Sequence, residues 1–289
     1  MHNARSPRSL AEAVPQSAPQ SPLPVTLKEE PIRTRELPVL SYLHVSGRTL
    51  IMGDLHGCYQ QLLARLSQLH FSPEQGDCLI GLGDLTDRGQ DNLASLRLLH
   101  QPWFHTIRGN HEQLMLMALL GNSRQARQLW FCNGGCWFDQ LSEIEQAEVR
   151  ALCQERIRHL PYALEITTRQ HFRVGIVHAD PLFAHWQQLV TSLRAPSPAA
   201  EVLEQLLWRR ERFTQLRHSA ASTANTGDRI KGIDLVCLGH TPLSGEAPWA
   251  RGNLLWMDNG CFAGYPLIVL DIEQWLTQHP PLRERREHR

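Results

Sequence analysis

Three short stretches decide the fold: GDLHG at residues 53–57, GDLTDRG at 83–89 and GNHE at 109–112. Each follows an apolar, strand-like run, so polar side chains come at the ends of three successive predicted strands. Two later blocks, VHAD at 177–180 and GHT at 239–241, also end apolar runs. A two-metal hydrolase needs oxygen and imidazole ligands on rigid elements, with one carboxylate able to bridge two cations. The pattern predicts such a site.

Composition sets the broad class of the protein. The chain of 289 residues, 42% of them hydrophobic, can build one large domain with a sizeable core. Its formal net charge is zero, so no overall charge argument points to nucleic acid or an anionic membrane. Seven scattered cysteines, without the spacing of a zinc site or a disulfide framework, favour a reducing cytoplasm. With no run near the ~20 apolar residues of a membrane span, we expect a soluble, cytoplasmic protein of undetermined oligomeric state.

The chain divides into three predicted regions. Residues 1–38 are rich in Pro, Ser, Gln and Ala without any helical or strand period, which predicts a flexible tail. A catalytic domain is expected over residues 39–275, followed by a basic tail over 276–289. Residues 123–158 are predicted to be helical.

The N-terminal half of the domain alternates between strand and helix patterns. Strands are predicted at 49–52, 77–82 and 103–107, and helices at 59–69, 93–99 and 112–120. Further strands are predicted at 172–177, 233–238, 254–257 and 267–270. This order by itself suggests a doubly wound α/β sheet, with the catalytic loops at the carboxyl ends of parallel strands.

Six side chains at these strand ends are predicted to hold two divalent cations. Asp54, His56 and Asp84 would bind one, and Asp84, Asn110, His178 and His240 the other. A water between the cations would lose a proton near neutral pH and become the nucleophile. Mixed carboxylate, amide and imidazole ligands suit manganese, iron or zinc better than calcium, and the sequence does not choose among those three.

The remaining motif residues predict acid catalysis and phosphate binding. His111 directly follows the ligand Asn110 and is predicted to be the general acid, with Asp87 as the carboxylate that orients it. Arg88 and Arg210 are predicted to bind phosphate oxygens with their planar guanidinium groups, in a pocket that includes Asn110. For Arg108 we expect a structural ion pair.

Taken together, these motifs resemble the metal-dependent phosphoprotein phosphatases, in particular the serine/threonine protein phosphatases of the bacterial and lambda-phage type. The likeness runs over about residues 50–270 and includes NGG at 133–135 and WRRER at 208–212. It implies a calcineurin-like metallophosphatase fold of the α/β (α+β) class, a β-sandwich of two mixed sheets flanked by helices. It also implies manganese-supported hydrolysis of phosphoserine and phosphothreonine in a phosphoprotein or peptide, with some phosphotyrosine activity. Thr86 and Gln90 depart from the usual pattern at positions that do not threaten catalysis.

Two alternatives remain open. A symmetrical dinucleoside-tetraphosphate hydrolase shares the first and third motifs, but it usually has Ala where this chain has Asp87 and Asp where this chain has Glu112. A catalytically silent scaffold would retain the fold and bind phosphoproteins. Such a protein is expected to have lost a ligand or the acid, and here none is missing.

Overall fold

The strands that precede the first three motifs lie side by side in one sheet. The computed structural model describes residues 40–121, 123–219 and 228–280. The smaller of its two sheets contains β2 (Thr49–Met52), β3 (Cys78–Gly81), β4 (Phe104–Thr106) and β10 (Val269–Asp271). Their order is β10-β2-β3-β4, with β2, β3 and β4 parallel and β10 antiparallel to β2. The carboxyl ends of β2, β3 and β4 therefore meet at one edge, as predicted.

The later strands form a second, larger sheet. It contains β1 (Leu40–His44), β5 (Ala163–Thr167), β6 (Arg173–Val177), β7 (Leu235–Leu238), β8 (Trp249–Arg251) and β9 (Leu254–Trp256). Their order is β1-β5-β6-β7-β9-β8. The β6, β7 and β9 strands are parallel, whereas β5 and β8 run antiparallel to β6 and β9. The mixed two-sheet architecture implied by the resemblance is confirmed, and the single doubly wound sheet suggested by strand order is wrong.

The core lies between the two sheets. Strand alternation sends Ile51 and Ile80 of the smaller sheet and Val174 and Ile176 of the larger one into the same buried cluster. Leu50 of β2 faces the opposite way, into a cluster shared with the first helix. The central strands of each sheet are thus buried on both faces, which explains why β2, β3 and β7 are short apolar runs.

Helices cover the outer faces. They are α1 (Tyr59–Gln68), α2 (Asn92–Arg97), α3 (Asn110–Leu119), α4 (Arg124–Cys132), α5 (Glu143–Glu155), α6 (Trp186–Leu193), α7 (Ala200–Trp208), α8 (Glu211–His218) and α9 (Ile272–Gln278). The predicted helical region 123–158 is confirmed as α4 and α5, which pack with α2 and α3 around Trp130 and Phe138. None of the helices in the described ranges combines the length and apolarity needed to cross a bilayer.

The predicted division of the chain into domain and tails remains a prediction. The tail at 1–38 and most of the tail at 276–289 lie outside the described residues. Within the described part, α9 continues past the expected boundary at 275 to Gln278.

Candidate active site

The six predicted ligands come together from both sheets. Asp54 and His56 follow β2, Asp84 follows β3, Asn110 opens α3, His178 follows β6 and His240 follows β7. All six are buried, the most exposed being His240 at 5%. Ligand atoms of His56, Asp84 and His111 lie within 4.8 Å of one another, as do those of Asp84, His178 and His240. Asp84 belongs to both groups.

The Asp84 carboxylate lies between the two halves of the cluster. Its Oδ2 is 3.7 Å from Nε2 of His56 and 3.4 Å from Nε2 of His178. Its Oδ1 accepts a hydrogen bond from the backbone N–H of His111 at 3.0 Å. Burial opposes charge on Asp84, but His178 and His111 beside it hold the pKa of this carboxyl well below its usual value. A single carboxylate therefore faces ligands from both sheets, the arrangement that the bridging role requires.

Backbone carbonyls orient the imidazole rings. Nδ1 of His56 donates to the carbonyl of Thr86 at 2.8 Å, and Nδ1 of His178 donates to that of Leu82 at 2.7 Å. A carbonyl oxygen only accepts, so Nδ1 carries a proton in both rings, and the Nε2 atom of each ring faces Asp84. Burial, followed by the neighbouring His111, lowers the pKa of His56 well below its ordinary value. A neutral ring with its free nitrogen turned inward is the form that binds a metal ion.

Asn110 joins the two histidines of the larger sheet. Its Oδ1 lies 2.8 Å from Nε2 of His178 and 3.0 Å from Nδ1 of His240. Nε2 of His240 donates to the carbonyl of Trp208 at 3.2 Å, which leaves Nδ1 facing the cluster. Asp54 connects the sheets directly, because its Oδ2 accepts from the backbone N–H of His240 at 2.9 Å.

The cluster has the charge distribution of a site for cations. Asp54 Oδ1 is buried and makes no hydrogen bond within the described residues. Burial, followed by the charge of Asp258, raises the pKa of Asp54 well above its ordinary value. Burial disfavours a charged His178, yet Asp84 raises the pKa of this ring to about 10. Negatively charged neighbours contribute to both shifts, and the buried carboxylates and imidazoles form a donor set that fits divalent metal ions.

His111 and Asp87 form a buried pair beside Asp84. His111 Nδ1 lies 2.7 Å from Asp87 Oδ2, and both side chains are fully buried. His111 Nε2 lies 3.0 Å from a guanidinium nitrogen of Arg88 and 3.8 Å from Asp84 Oδ2. The ring nitrogen opposite the carboxylate therefore faces the candidate site, where it accepts a hydrogen bond from Arg88.

Two arginines approach the same side of the cluster. Arg88 lies 2.8 Å from His56 Nε2 through Nη1, and its guanidinium stacks on the ring of Phe262 at 4.8 Å. Arg210 donates to the carbonyl of His240 at 3.1 Å, while its buried Nε has no partner among the described residues. Burial, followed by the positive charge of Arg88, lowers the pKa of Arg210. Two positive charges close enough to influence each other favour an anion between them.

The backbone of the catalytic loops is held in an uncommon conformation. His56, Asp84, Asp87, Arg88 and His240 all have positive φ, between 43° and 74°. This region is costly for residues other than glycine and persists only where the surroundings enforce it. The fixed turns set the directions in which these five side chains leave the chain.

Glu112 is the main structural support of these loops, and the motif analysis assigned it no role. Its carboxylate accepts three backbone hydrogen bonds, from Asp84, Leu85 and Gly109, each at 2.8 Å. Its position three residues after Gly109 at the start of α3 is the signal that could have identified it.

Three other residues near the site were missed or misjudged. Asp258 lies two residues after β9, and burial raises its pKa to about 6. Phe262 contacts His56 edge-on with ring centroids 5.2 Å apart. The ion pair expected for Arg108 is wrong: its buried guanidinium donates to the neutral oxygens of Gln113, Tyr162 and the Arg158 carbonyl.

This fold and this ligand cluster define a metallophosphoesterase. The chain belongs to the calcineurin-like phosphoesterase family, whose model matches residues 47–279. It is 37% identical over 228 residues to serine/threonine-protein phosphatase 1 of Salmonella typhimurium, covering 77% of this chain and 91% of that protein.

Two other comparisons are more limited. A symmetrical bis(5'-nucleosyl)-tetraphosphatase of Actinobacillus pleuropneumoniae is 34% identical over 119 residues, covering 40% of each chain. The crystal structure of a cold-active protein-tyrosine phosphatase from a Shewanella species has a TM-score of 0.50 at 15% identity, covering 81% of this chain and 78% of that one. The latter likeness concerns the fold alone.

Proposed function

We propose that the protein is a dimetal-dependent serine/threonine protein phosphatase, which hydrolyses phosphoserine and phosphothreonine monoesters and has some activity on phosphotyrosine. The observation that carries this proposal is the Asp84 carboxylate, 3.7 Å from His56 and 3.4 Å from His178, with an acid pair and two arginines around it. The likeness to a serine/threonine-protein phosphatase over 91% of its length supports the same substrate class.

Each ligand has a role in this proposal. Asp54, His56 and Asp84 would hold one cation, and Asp84, Asn110, His178 and His240 the other. When bound, two divalent cations supply a Lewis-acid centre and an activated water for attack on phosphorus. Manganese is the metal we propose, with iron or zinc as the alternatives that the same donor set accepts.

The other side chains bind the ester and protonate the leaving group. Arg88 and Arg210 bind the phosphoryl oxygens from two sides, with Asn110 in the same pocket, and offset the charge of the transition state. His111 gives its Nε2 proton to the departing serine or threonine oxygen, while Asp87 stabilises the charged ring through Nδ1. Water is consumed, and the products are the free hydroxyl side chain and inorganic phosphate.

Substrate comparison tests the proposal against the tetraphosphatase. The partial likeness to that enzyme, over 40% of each chain, makes it the second candidate. Purified protein with added Mn²⁺ should turn over a phosphoserine peptide faster than diadenosine tetraphosphate. Preference for the dinucleotide would overturn the proposal.

A silent scaffold is tested separately. All six predicted ligands and the acid pair are present, and a scaffold has no need of a buried cluster with unpaired charge. Hydrolysis of p-nitrophenyl phosphate with Mn²⁺, abolished by a chelator, is expected of the enzyme. Phosphopeptide binding without any turnover would identify the scaffold.

We also propose that the protein works in the cytoplasm, on phosphoproteins rather than nucleic acid or membranes. All seven cysteines are free, two of them, Cys132 and Cys136, on the surface, which suits a reducing compartment.

A further inference from the structure

Two tryptophans donate hydrogen bonds to the carboxylate that orients His111. Trp130 Nε1 lies 2.9 Å from Asp87 Oδ2 and 3.1 Å from Oδ1, and Trp137 Nε1 lies 2.7 Å from Oδ1. Nδ1 of His111 donates a hydrogen bond to Asp87 Oδ2 at 2.7 Å. Both oxygens of a fully buried carboxylate are thus surrounded by N–H groups from three rings.

The glycine turn at 133–135 brings the indoles there. Trp130 lies in α4 and Trp137 in a short 3₁₀ helix, Gly135–Gln140, immediately after the turn. Gly134 has φ of 105°, and a Cβ on it would lie 2.8 Å from the backbone nitrogen of Arg88. A Cβ on Gly135 would lie 2.4 Å from the Trp130 indole. Only glycine permits both close contacts. The NGG motif is therefore explained by its position between Arg88 and Trp130, whereas the proposed reaction by itself gives no reason for it.

An indole is a selective partner for an ionised carboxylate. Its N–H donates and never accepts, so it stabilises the acceptor-only anion over the protonated acid. With donors on both oxygens, the carboxyl plane is also fixed relative to the imidazole. The indoles contact Asp87, and the ring nitrogen of His111 that faces the site is on the opposite side of the pair.

We propose that Trp137 and Trp130 are positioning residues for proton donation, which hold the Asp87 carboxylate aligned with His111 and so act on the leaving group through that pair. This inference rests on the proposed function, since it requires His111 to be the acid. It predicts that removing an indole donor lowers kcat more for an ester whose leaving group needs a proton than for one whose leaving group does not.

The test is Trp137→Phe, because this ring is only half-buried and the change removes the N–H while keeping an aromatic side chain. With Mn²⁺, kcat on a phosphoserine peptide should fall about 10- to 160-fold, the range for loss of one hydrogen bond to a charged group. Activity on p-nitrophenyl phosphate, whose leaving group needs little protonation, should change by less than about 2-fold. KM should be unchanged for both substrates.

A matched control is available in the larger sheet. Trp186 Nε1 donates to Glu165 Oε2 at 2.6 Å, another buried indole on a carboxylate, which belongs to the core between α6 and the sheet. Trp186→Phe should leave the ratio of the two activities unchanged. In the Asp87→Asn background, Trp137→Phe should produce no further change in that ratio, since both act through one carboxylate.

Equal losses on the two esters, or an unchanged kcat on the peptide, would overturn the inference. If Trp137→Phe does not fold by circular dichroism, Trp130→Phe removes the other indole donor and must shift the ratio in the same direction. Wild-type protein that hydrolyses neither ester refutes the proposed function instead. Wild-type activity with a leaving-group effect in His111→Asn, but none in the tryptophan variants, refutes only the positioning role.

Discussion

Replacing Glu112 by Gln should destabilise the whole domain. The three backbone donors of Asp84, Leu85 and Gly109, each 2.8 Å from the carboxylate, cannot all be kept by an amide, whose NH₂ group must face at least one of them. A hydrogen bond to a charged group contributes about 1.5–3 kcal/mol and a neutral one about 0.5–1.5. One lost bond and two weakened ones amount to about 3.5–6 kcal/mol.

Part of the stability lost in Glu112→Gln is recovered, because the variant no longer buries a charge. Burial, followed by the charge of Asp84, raises the pKa of Glu112, so the neutral amide avoids a desolvation cost of about 1–2 kcal/mol. The net change is about 2–4 kcal/mol, a large share of the ~5–15 kcal/mol that stabilises a typical domain. At a denaturant slope of about 3 kcal/mol per molar, the urea midpoint should fall by about 1 M.

Urea unfolding followed by circular dichroism measures this shift. Glu145→Gln is the control, because Glu145 accepts from the backbone N–H of Ser142 at the start of α5 in a similar capping arrangement that is open to solvent. That variant should unfold close to the wild-type midpoint. A Glu112→Gln midpoint within about 0.2 M of wild type would refute the assigned support role.

Three further predictions concern catalysis. His111→Asn should lower kcat on alkyl phosphoesters by about 10²–10⁴, with a smaller loss on p-nitrophenyl phosphate, and equal losses in steady-state assays would contradict the acid assignment. Arg88→Ala should raise KM and lower kcat, since its guanidinium offsets phosphoryl charge in both ground and transition states; unchanged inhibition by inorganic phosphate would remove Arg88 from the pocket. Chelation should abolish activity, and Mn²⁺ should restore it better than Mg²⁺ because nitrogen ligands are present; equal recovery with both metals would argue against the histidine ligands.

Much of the candidate site could be predicted from sequence because strand ends are easy to recognise. The apolar run at 49–52 ends at Asp54, and the run at 233–238 ends near His240, so their convergence follows from parallel strands sharing an edge. Periodicity reports that a strand is buried but does not say which sheet contains it. The return of β10 to pair with β2 depends on contacts between residues far apart in sequence.

The strands β5 and β8 could not be predicted from the sequence, because polar residues or short length obscure their strand patterns. β5 contains Glu165, a charged residue that weakens a strand pattern, and only the fold supplies the partners Arg173 and Trp186 that allow it to be buried. β8 is short and contains Arg251, so it has no apolar run like those that marked the other three-residue strands. The tryptophan contacts to Asp87 join segments separated in the chain by more than forty residues, and no local spacing encodes them.

The antiparallel pairing of β10 with β2 has a consequence for how the protein is made. During synthesis, Asp54 and His56 leave the ribosome more than two hundred residues before the strand that completes their sheet. Until residues 269–271 emerge, one edge of β2 has no partner strand, and the loop at 53–57 that follows β2 is not supported by a complete sheet. Completion of this sheet is therefore a late step, and a nascent chain arrested before β10 should be a candidate for chaperone binding rather than a partial catalyst.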